Sequence, residues 1–598
     1  MPLAVRRVRR EAELLRSPRS PGGMINGKVG GKMVVLMSKE QTDRYYKVMN
    51  TLFEKNREGY GAGLGGKNKV FVSFSRGEER AVTFCGTGNS LETAFQSVKN
   101  IVMKNIKKSF PPVPRWIYMD FVCEEEKISK EALFRRLNLT KRNYFRGGLA
   151  FDDLYQTAFL EQEINAAVLL DNDKPPVSLN ERNITSFLRK KGFLGKGQGF
   201  TQSNVDELIV FKVKSYFYDA EKDEYHDIYS DGQEKGRRKT VIDKGFWEES
   251  IRATGRYLNG TVNGDGSFVY GYFPCYGAVV PGYNIIRHCL SVMALIDLYA
   301  FWPDEGLKEN IVKTFNYVLR EAVKDIDEES AVIVDGPGGE VKLGALGLGI
   351  LMILRHAELF AGDAYLGVAK KLAGGILKMF NEETGEFTHV LNYPGLSLKD
   401  MFRVVYYPGE ACYGLMKLYE KVKDERYLRV TEKAFDFFIQ NDYDKYFDHW
   451  LAYAAGELTK YAPEEKYFVF ALKNAMNNID FILERQTTWA TLLEMLNASF
   501  HVFEKIKEQK REDLFRPYNM EKFYKALSVR MQRQLNGILY PEKAMFFAKP
   551  AQILYGTYIR HHSFRVRNDD VAHHLIGYCH FVREILPRVT GLNLFLQK

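Results

Sequence analysis

The sequence predicts an α+β N-terminal domain followed by an all-α (α/α)6 toroid, a closed ring of six inner helices surrounded by six outer helices. Three observations support this fold class. From Phe246 onward, helical periodicity is interrupted by short turns and defines about twelve helices. These helices alternate between apolar and amphipathic, as two packed layers require. Before residue 240, short β-prone runs are mixed with helices, which indicates a separate domain.

The N-terminal domain is predicted to begin with a hairpin. Two β-prone runs flank the turn residues 76–79, a helix begins after Ser90, and a prolyl pair at 111–112 ends that helix before another strand. The predicted strands lie at 70–74, 81–85, 115–123 and 207–216, and a further helix lies around 159–167.

We predict three segments in the chain. Residues 1–36 form a disordered basic arm, residues 37–240 form the α+β domain, whose role we leave open, and residues 241–598 form the toroid. The glycine-rich segment 61–66 has the spacing G-x-G-x-x-G, but it follows a helix and precedes a strand. This order is the reverse of a dinucleotide site, so we do not expect nucleotide binding there. The basic, glycine-rich segment 190–199 is interpreted as a solvated linker.

Composition excludes several classes of protein. The net charge of +10, from 85 basic and 75 acidic residues, is too small an excess to indicate a nucleic-acid partner. Six scattered cysteines form neither a disulfide framework nor a zinc module, and we expect no metal and no cofactor. No apolar run reaches the ~18 residues that span a bilayer, and the first residues lack the apolar core of a signal peptide. We therefore expect a cytoplasmic protein without a membrane span and leave the oligomeric state and the true start codon open.

The helical half predicts two layers because its helices differ in character. The second, fourth and sixth helices are apolar nearly all round, whereas the third, fifth, seventh and eleventh carry Lys and Glu on one face. The glycine-rich run 343–354 indicates especially close helix contact. An open solenoid is disfavoured because comparable positions recur at irregular intervals of roughly 40 to 80 residues. The predicted spans are 246–257, 283–301, 306–324, 342–360, 364–380, 406–421, 425–440, 448–460, 464–484, 488–507, 520–536 and 567–586.

Unusual polar and aromatic residues begin each even-numbered helix. If the six inner helices run in the same direction, these residues converge on one open end of the ring, which we call the mouth. Helix capping explains a residue such as Asp448, but it does not explain positive charge at a helix start. The candidates are Arg287, His288, Lys342, Tyr406, Tyr407, Glu410, Asp448, His449, Trp450, Arg567, Asp570 and His573, with Asp265 and Tyr270 from the loop before the second helix.

Several short motifs in this half resemble a known group of enzymes. The twelve-helix pattern, D-G-S-F at 265–268, the Arg287-His288 pair, Y-Y-P-G-E at 406–410 and D-H-W at 448–450 resemble (α/α)6-toroid enzymes of carbohydrate metabolism. That group includes glucuronyl C5-epimerases, N-acylglucosamine 2-epimerases and several glycosidases and polysaccharide lyases. The resemblance covers roughly residues 246 to 598 and implies a sugar substrate. No complete catalytic set of one family is matched, so the reaction stays open.

We predict epimerisation of a uronic-acid-containing or other anionic glycan, in the biosynthesis of a cell-surface polysaccharide. Such a reaction needs a base, an acid and a cation beside the substrate carboxylate. Tyr407, Glu410 and His449 are the acid and base candidates, and the carboxylate partners are Arg287, Lys342 and Arg567. The remaining residues are predicted to hold the sugar: His288, Tyr406, Trp450, His573, Tyr270 and Asp265.

Three alternatives remain. A glycosidase would use two facing carboxyl groups, such as Glu410 with Asp448 or Asp570, and a polysaccharide lyase would use the epimerase residues. A non-catalytic glycan-binding or assembly protein would use the same residues to bind the polymer without reacting with it. A terpene-type helical cyclase is suggested by Asp569 and Asp570 alone, without a second aspartate-rich motif facing them.

Overall fold

The computed structural model of the chain describes residues 27–29, 32–34, 39–57, 66–109, 114–336 and 338–589. Most of the arm predicted to be disordered, residues 1–36, therefore lies outside the described residues. Within it the structure describes two short antiparallel strands, β1 (Gly27–Val29) and β2 (Lys32–Val34). Most of the glycine-rich segment 61–66 also lies outside the described residues.

The N-terminal domain contains the predicted hairpin, helices and strands. The elements that follow β2 are α1 (Lys39–Arg57), β3 (Asn68–Ser75), β4 (Val82–Gly88), α2 (Leu91–Ser109), β5 (Trp116–Ser129), α3 (Lys130–Asn138), β6 (Gly148–Ala150), β7 (Ala158–Phe159), α4 (Glu161–Ala167), β8 (Leu170–Asp171), β9 (Ser178–Leu179), α5 (Glu181–Lys190), β10 (Glu207–Asp219) and β11 (Glu224–Asp227). The main sheet has the order β4-β3-β5-β10-β6-β7, with β11 beside β10, and its strand pairs are antiparallel.

Strand β5 shows how this sheet is placed against the rest of the protein. Its side chains alternate between the two faces, as a strand requires. Ile117 and Met119 pack with α1 and α2 in one hydrophobic cluster. Trp116 and Tyr118 belong instead to the large cluster of the helical half. The sheet is therefore buried on both faces here, by its own helices on one side and by the helical half on the other.

The helical half contains, within the described residues, twelve helices of 12 residues or more and two shorter ones. Their bounds are α6 (Lys244–Asn259), α7 (Ile285–Phe301), α8 (Glu305–Tyr317), α9 (Leu343–His356), α10 (Leu366–Lys378), α11 (Tyr407–Val422), α12 (Glu425–Gln440), α13 (His449–Tyr461), α14 (Glu465–Met476), α15 (Ile479–Glu484), α16 (Thr491–Glu508), α17 (Met520–Leu535), α18 (Pro541–Ala544) and α19 (Asn568–His580). The twelve long helices fall within one to four residues of the predicted starts in most cases.

Six of these helices form a closed inner ring. Helix α7 packs on α9, α9 on α11, α11 on α13, α13 on α16 and α16 on α19, and α19 packs back on α7. The other six long helices, α6, α8, α10, α12, α14 and α17, each pack outside the inner helices next to them in sequence. Inner and outer helices therefore alternate along the chain, and the open-solenoid alternative does not apply.

The two ends of the ring differ in their connections. The connections that lead from an outer helix into α7, α9, α11 and α19 are long and carry small sheets, whereas most connections from an inner to an outer helix are short turns. Long loops on a rigid scaffold are the usual position of functional residues. The strands at this end are β12 (Gly271–Phe273), β13 (Ala278–Val279), β14 (Val323–Asp325), β15 (Ala331–Asp335), β16 (Glu340–Lys342), β17 (Val390–Asn392), β18 (Ser397–Asp400), β19 (Tyr558–Ile559) and β20 (Arg565–Arg567).

Helices α9 and α11 approach so closely that side chains are excluded between them. A Cβ atom on Gly347 would lie 2.2 Å from the Glu410 carbonyl oxygen, and one on Gly414 would lie 2.8 Å from the Gly347 carbonyl oxygen. The glycine-rich pattern that predicted close contact is explained by this approach. The segment Leu343–Phe360 is also long and apolar enough to cross a membrane by composition, but 72% of it is buried inside the protein, as in a core helix.

The N-terminal domain packs on the segment between α17 and α19. The Ala81 amide donates to the Met545 carbonyl at 2.7 Å, and Arg80 donates to the Phe546 carbonyl at 2.6 Å. The buried Arg238 guanidinium pairs with Glu542 at 2.8 Å. Since an unpaired buried charge is strongly destabilising, this ion pair fixes the two halves in one arrangement.

We predict that Gly344→Ala destabilises the ring, because its Cβ would lie 1.8 Å from the Glu410 Oε2 atom and 2.7 Å from Tyr407 Cδ1. Overpacking of this kind costs about 1–3 kcal/mol. Chemical denaturation measures the change. The matched control is Gly367→Ala in the outer helix α10, where a Cβ meets nothing within 4 Å and the helix gains about 0.5–1 kcal/mol. Equal effects of the two substitutions would contradict the packing described here.

Candidate active site

The first turns of the inner helices meet at the mouth. Arg287 is the third residue of α7, Glu410 the fourth of α11, His449 the first of α13 and Glu494 the fourth of α16. The start of α19 completes the group with an acidic pair and His573. Because these first-turn residues contact one another, the inner helices run in the same direction, as the sequence predicted.

A network of arginines and aspartates joins the first and last inner helices. Arg287 Nε lies 2.7 Å from Asp569 Oδ2, and Arg567 Nε binds the other oxygen of the same carboxylate. Arg287 also donates to the Tyr270 hydroxyl. Asp570 lies 3.5 Å from both Arg565 and Arg567. Arg287 and Arg567 are therefore in the site, but both are already paired with a carboxylate.

Two histidines share one side of the mouth with a buried glutamate. His573 Nδ1 lies 2.7 Å from Glu494 Oε1, and the rings of His449 and His573 are 5.3 Å apart at a steep angle. His449 and Glu494 are almost fully buried, at 2% and 0% exposure. The carboxylate of Glu494 therefore fixes the orientation of the His573 ring. The second ring nitrogen of His573, Nε2, takes no part in this hydrogen bond.

The two imidazoles are held in different protonation states. Burial lowers the pKa of His573, but Glu494 and the two aspartates of α19 outweigh burial and raise it above its ordinary value. Burial lowers the pKa of His449 to about 3, and the neighbouring His573 contributes to that fall. Two adjacent imidazolium rings would repel each other, so the pair favours a single added proton, on His573 rather than on His449.

Two buried carboxyl groups are held in their neutral form. Burial raises the pKa of Glu410 to about 8, and Asp448 adds to this effect. Burial also raises the pKa of Asp448 to about 8, although its oxygens accept hydrogen bonds from the Trp450 and Leu451 amides at 2.9 and 3.2 Å. Asp448 is thus the N-cap of α13, whereas Glu410 has a free oxygen.

Several buried polar atoms at the mouth lack a hydrogen-bond partner within the described part of the chain, including Asp570 Oδ2, Arg565 Nε and Asn568 Nδ2 around the start of α19. Three more belong to α11, α13 and α16. They are Glu410 Oε2, His449 Nε2 and Glu494 Oε2, and each is buried. Buried polar atoms are nearly always hydrogen-bonded in folded proteins, so three orphans in one place indicate a binding site. The chemistry that these atoms offer is one proton donor and two acceptors.

Two predicted residues do not join this group. His288 is fully buried, with Nδ1 2.6 Å from the Tyr283 hydroxyl and Nε2 2.8 Å from the Thr314 carbonyl oxygen, so it joins α7 to α8. Lys342 is bound by Asp335 and lies 3.2 Å from Glu340. The structure thus gives both residues a scaffolding position rather than a place at the mouth.

Other predicted residues lie at the edge of the group or beneath it. Asp265 is exposed, bonds to Ser267 and lies over the end of α8, where Arg320 donates to its carbonyl. Trp450 is buried against Tyr413 and Tyr453. Tyr406 is 39% exposed and meets the His449 ring edge-on, and Tyr407 is buried beside Glu410, with its pKa raised by burial.

Three residues of the site were not among the predicted candidates. The sequence marks Glu494 and Asp569 as polar residues at helix starts but assigns them no role in the site, and Arg565 was not singled out. Glu494 is an acidic residue in the first turn of an inner helix, and Asp569 and Asp570 follow Arg565 and Arg567 within a few residues at the start of α19. Acidic residues at helix starts are common for local reasons, which is why this signal alone does not identify them.

The same histidine and glutamate group has the ligand types of a metal site. Ligand atoms of His449, Glu494 and His573 lie within 4.8 Å of one another. Tetrahedral zinc ligands with bonds of ~2.1 Å lie about 3.4 Å apart. The side chains would therefore have to close by more than 1 Å around an ion. The expectation of a metal-free site stays a prediction.

A depression of about 1080 Å³ lies elsewhere, on the outer surface between α10 and α12. Its charged side chains are largely paired with each other, for example Lys378 with Asp327 at 3.0 Å and Arg426 with Asp424 at 2.7 Å. We interpret it as a solvated outer groove.

Comparison with known proteins gives structural likeness only. No protein-family model matches the chain, and no curated protein matches it by sequence. Among solved structures, a D-mannose isomerase is 13% identical, with a TM-score of 0.43, over 57% of this chain and 98% of its own. A cellobiose 2-epimerase from Bacillus thermoamylovorans is 14% identical, with a TM-score of 0.43. This match covers 57% of the present chain and 100% of the epimerase chain. A GH76 α-1,6-mannanase from Salegentibacter is 12% identical, with a TM-score of 0.38. This match covers 56% of the present chain and 98% of the mannanase chain. Epimerases and glycosidases, two classes named from the sequence resemblance, are thus among these structures.

We predict that Glu410→Gln changes the pH dependence of stability. A carboxyl whose pKa is about 8 when folded and about 4.5 when unfolded binds more protons in the folded state between these values, so wild-type stability falls as pH rises through them. Glutamine does not titrate. The unfolding free energy of the variant, relative to wild type, should therefore increase by on the order of 4 kcal/mol from pH 5 to pH 8.5.

Denaturant unfolding at the two pH values checks this expectation. Exposed Glu358 provides the control, since Glu358→Gln removes the same charge outside the site. A difference between Glu410→Gln and wild type that stays constant with pH would contradict the neutral form of Glu410.

Proposed function

We propose that the helical half is an (α/α)6 toroid enzyme that epimerises a sugar unit by proton transfer at the mouth of the ring. The supporting observation is the pair of adjacent imidazoles, His449 and His573, which are 5.3 Å apart and hold opposite protonation states. A neutral base beside a charged acid is what enolisation of a carbon next to a carbonyl or carboxylate requires.

In the proposed reaction, His449 Nε2 takes the proton from the substrate carbon. The electron pair of the broken C–H bond forms the C=C bond of an enediolate, and the charge moves to oxygen. His573 donates its proton to that oxygen, and its loss of charge removes a repulsion that adds to burial in lowering the pKa of His449. The oxygen then returns its proton to His573, and Glu410, neutral at pH 7, donates a proton to the other face of the carbon, which gives the epimer. A proton passes from His449 to the ionised Glu410 through solvent and restores the starting state.

An anionic substrate fits the charge balance of the mouth. Four basic side chains of the mouth, Arg287, Arg565, Arg567 and His573, are paired with three acidic side chains, Asp569, Asp570 and Glu494. Glu410 and Asp448 are neutral because of their raised pKa values. One positive charge therefore remains for a substrate carboxylate. Our proposal places the enzyme in the cytoplasm, in polysaccharide biosynthesis.

Glycoside hydrolysis is the second candidate, and Glu410 is the observation that favours it. A buried carboxyl with a raised pKa is the usual general acid of a glycosidase. Hydrolysis also needs a second carboxyl group, and the candidates for it already have other partners. Asp448 caps α13, and Asp569 is bound by two arginines. Hydrolysis therefore ranks below proton transfer.

We predict incorporation of deuterium when the protein is incubated with a uronate-containing oligosaccharide in heavy water. A solvent deuteron replaces the proton that His449 removes, so mass and NMR spectra should show deuterium at one ring carbon without new reducing ends. The protein is dialysed against EDTA beforehand, and exchange should persist. New reducing ends would establish hydrolysis instead, and an unsaturated, ultraviolet-absorbing product would establish a lyase. Binding without any of these products would indicate a glycan-binding protein.

We also predict that Glu494→Gln shifts the pH profile of kcat/KM. The carboxylate of Glu494 raises the pKa of His573, so its removal lowers that pKa and moves the alkaline limb of the profile to lower pH. His573→Gln should lose activity by about 10²–10⁴-fold. The control is His501→Gln, in α16 but about 10 Å further along the helix, where the imidazole pairs with Glu584. An unchanged alkaline limb in Glu494→Gln would remove His573 from the role of acid.

A further inference from the structure

A second polar cavity lies between the N-terminal domain and the helical ring. It has a volume of about 360 Å³, which is within the range of small-molecule sites. Arg146 and Lys235 line it from the N-terminal domain, and Lys543, Tyr558 and Arg560 line it from the ring. We call it the interdomain cavity. No residue of the proposed proton-transfer site lines it.

The interdomain cavity has an excess of positive charge. Its four cationic side chains share a single carboxylate, since Glu161 is the one acidic group in the described chain that pairs with any of them. Glu161 lies 3.3 Å from Arg146, 2.9 Å from Lys235 and 3.4 Å from Arg560. The protein therefore supplies one paired carboxylate for four basic side chains of the cavity.

Lys543 shows that this excess is not relieved by the protein itself. Its ammonium donates to the Asn536 carbonyl oxygen at 2.9 Å, and within the described residues it has no ion-pair partner. Burial lowers its pKa to about 7; the neighbouring Glu542 opposes this fall, and Arg237, Arg560 and Arg146 add to it. A half-buried cation among other cations is destabilising unless an anion binds beside it.

A single hairpin connects the interdomain cavity to the mouth. Strand β19 and the turn after it carry Tyr558 and Arg560 into the cavity, and β20 carries Arg565 and Arg567 to the carboxylates of α19. Arg560, which lines the cavity, follows Ile559 directly, and Ile559 pairs with Arg565, which reaches the mouth. The cavity and the mouth are therefore neighbours on the same hairpin.

We propose that the interdomain cavity is a second binding site, specific for an oxyanion group carried by a sugar-sized ligand. Carboxylate, sulfate and phosphate share the required chemistry, because each accepts several charge-assisted hydrogen bonds from arginine and lysine. The rings of Tyr144 and Tyr558 offer apolar surfaces for the body of the ligand. Its position beside the mouth makes it a subsite for a neighbouring unit of an anionic glycan, and this last step rests on the proposed function.

Calorimetric titration of the full chain in a buffer of low anion content tests the site. The probes are glucuronate, glucose 6-sulfate, glucose 6-phosphate and uncharged glucose. At least one anionic probe should bind saturably and at least tenfold more tightly than glucose, and the strongest of them identifies the oxyanion. Binding of all three within tenfold of glucose would overturn the proposal.

Variants locate the binding. Lys543→Met should weaken the preferred anion at least tenfold, whereas Lys525→Gln, which removes the same charge from the exposed surface of α17, should change affinity less than twofold. Arg287→Gln, at the mouth, should also retain binding. If Lys543→Met melts at a markedly lower temperature, Lys235→Gln replaces it. If anion binding were lost in Arg287→Gln and retained in Lys543→Met, the anion would bind at the mouth and the proposal would be overturned.

The titration needs no turnover, so its outcome is separate from that of the proposed function. Anion binding that depends on Lys543, in a protein without deuterium exchange, would leave the cavity assigned and the epimerase proposal refuted. Deuterium exchange in a protein that shows no preference for an anionic probe would support the epimerase proposal and refute the assignment of the cavity.

Discussion

Closure of the ring is the constraint on which the rest of the structure depends. Helices α7 and α19 begin 283 residues apart in the chain, and their contact brings Arg287 to Asp569. Without it, the acidic pair and His573 would face solvent, and the pKa of His573 would lose the neighbours that raise it. This contact depends on the inner helices between α7 and α19, because each of them packs on its two ring neighbours and so carries the ring from one to the other. The site is thus a product of the whole ring and not of one local motif.

Exclusion of water then sets the chemistry. Burial is the largest influence on the pKa of Glu410, Asp448 and His449, and in all three it favours the uncharged form. Of the two imidazoles, only that of His573 has a raised pKa, because the Glu494 carboxylate contacts it directly. A buried site that holds uncharged acids and bases beside fixed ion pairs can move protons with little reorganisation of solvent. The same burial explains why α9 needs glycine opposite Glu410, since any larger residue would displace the carboxyl group.

The sequence predicted the helices and their first turns well because both depend on local pattern. Apolar periodicity identified α7, α9 and α11, and unusual polar residues at helix starts identified Arg287, Glu410 and His449. What the sequence could not predict was pairing between distant segments. The partners of Lys342 and His288 lie on β15 and α8, and the ring position of α16 decides that Glu494 meets His573. Each of these depends on packing across the ring, for which a single sequence gives no direct signal.

The hydrophobic cluster that runs from Trp116 and Tyr118 into the ring has a consequence for how this protein is built up during synthesis. The sheet that presents these side chains leaves the ribosome first, yet its covering surface near Met545 and Phe546 is made more than 400 residues later. At ≈ 5–20 residues per second, the interval lasts on the order of 20–90 seconds. During that time an aromatic face of the nascent chain stays uncovered, so a chaperone that shields it, or slow translation of the helical half, would determine the yield of folded protein.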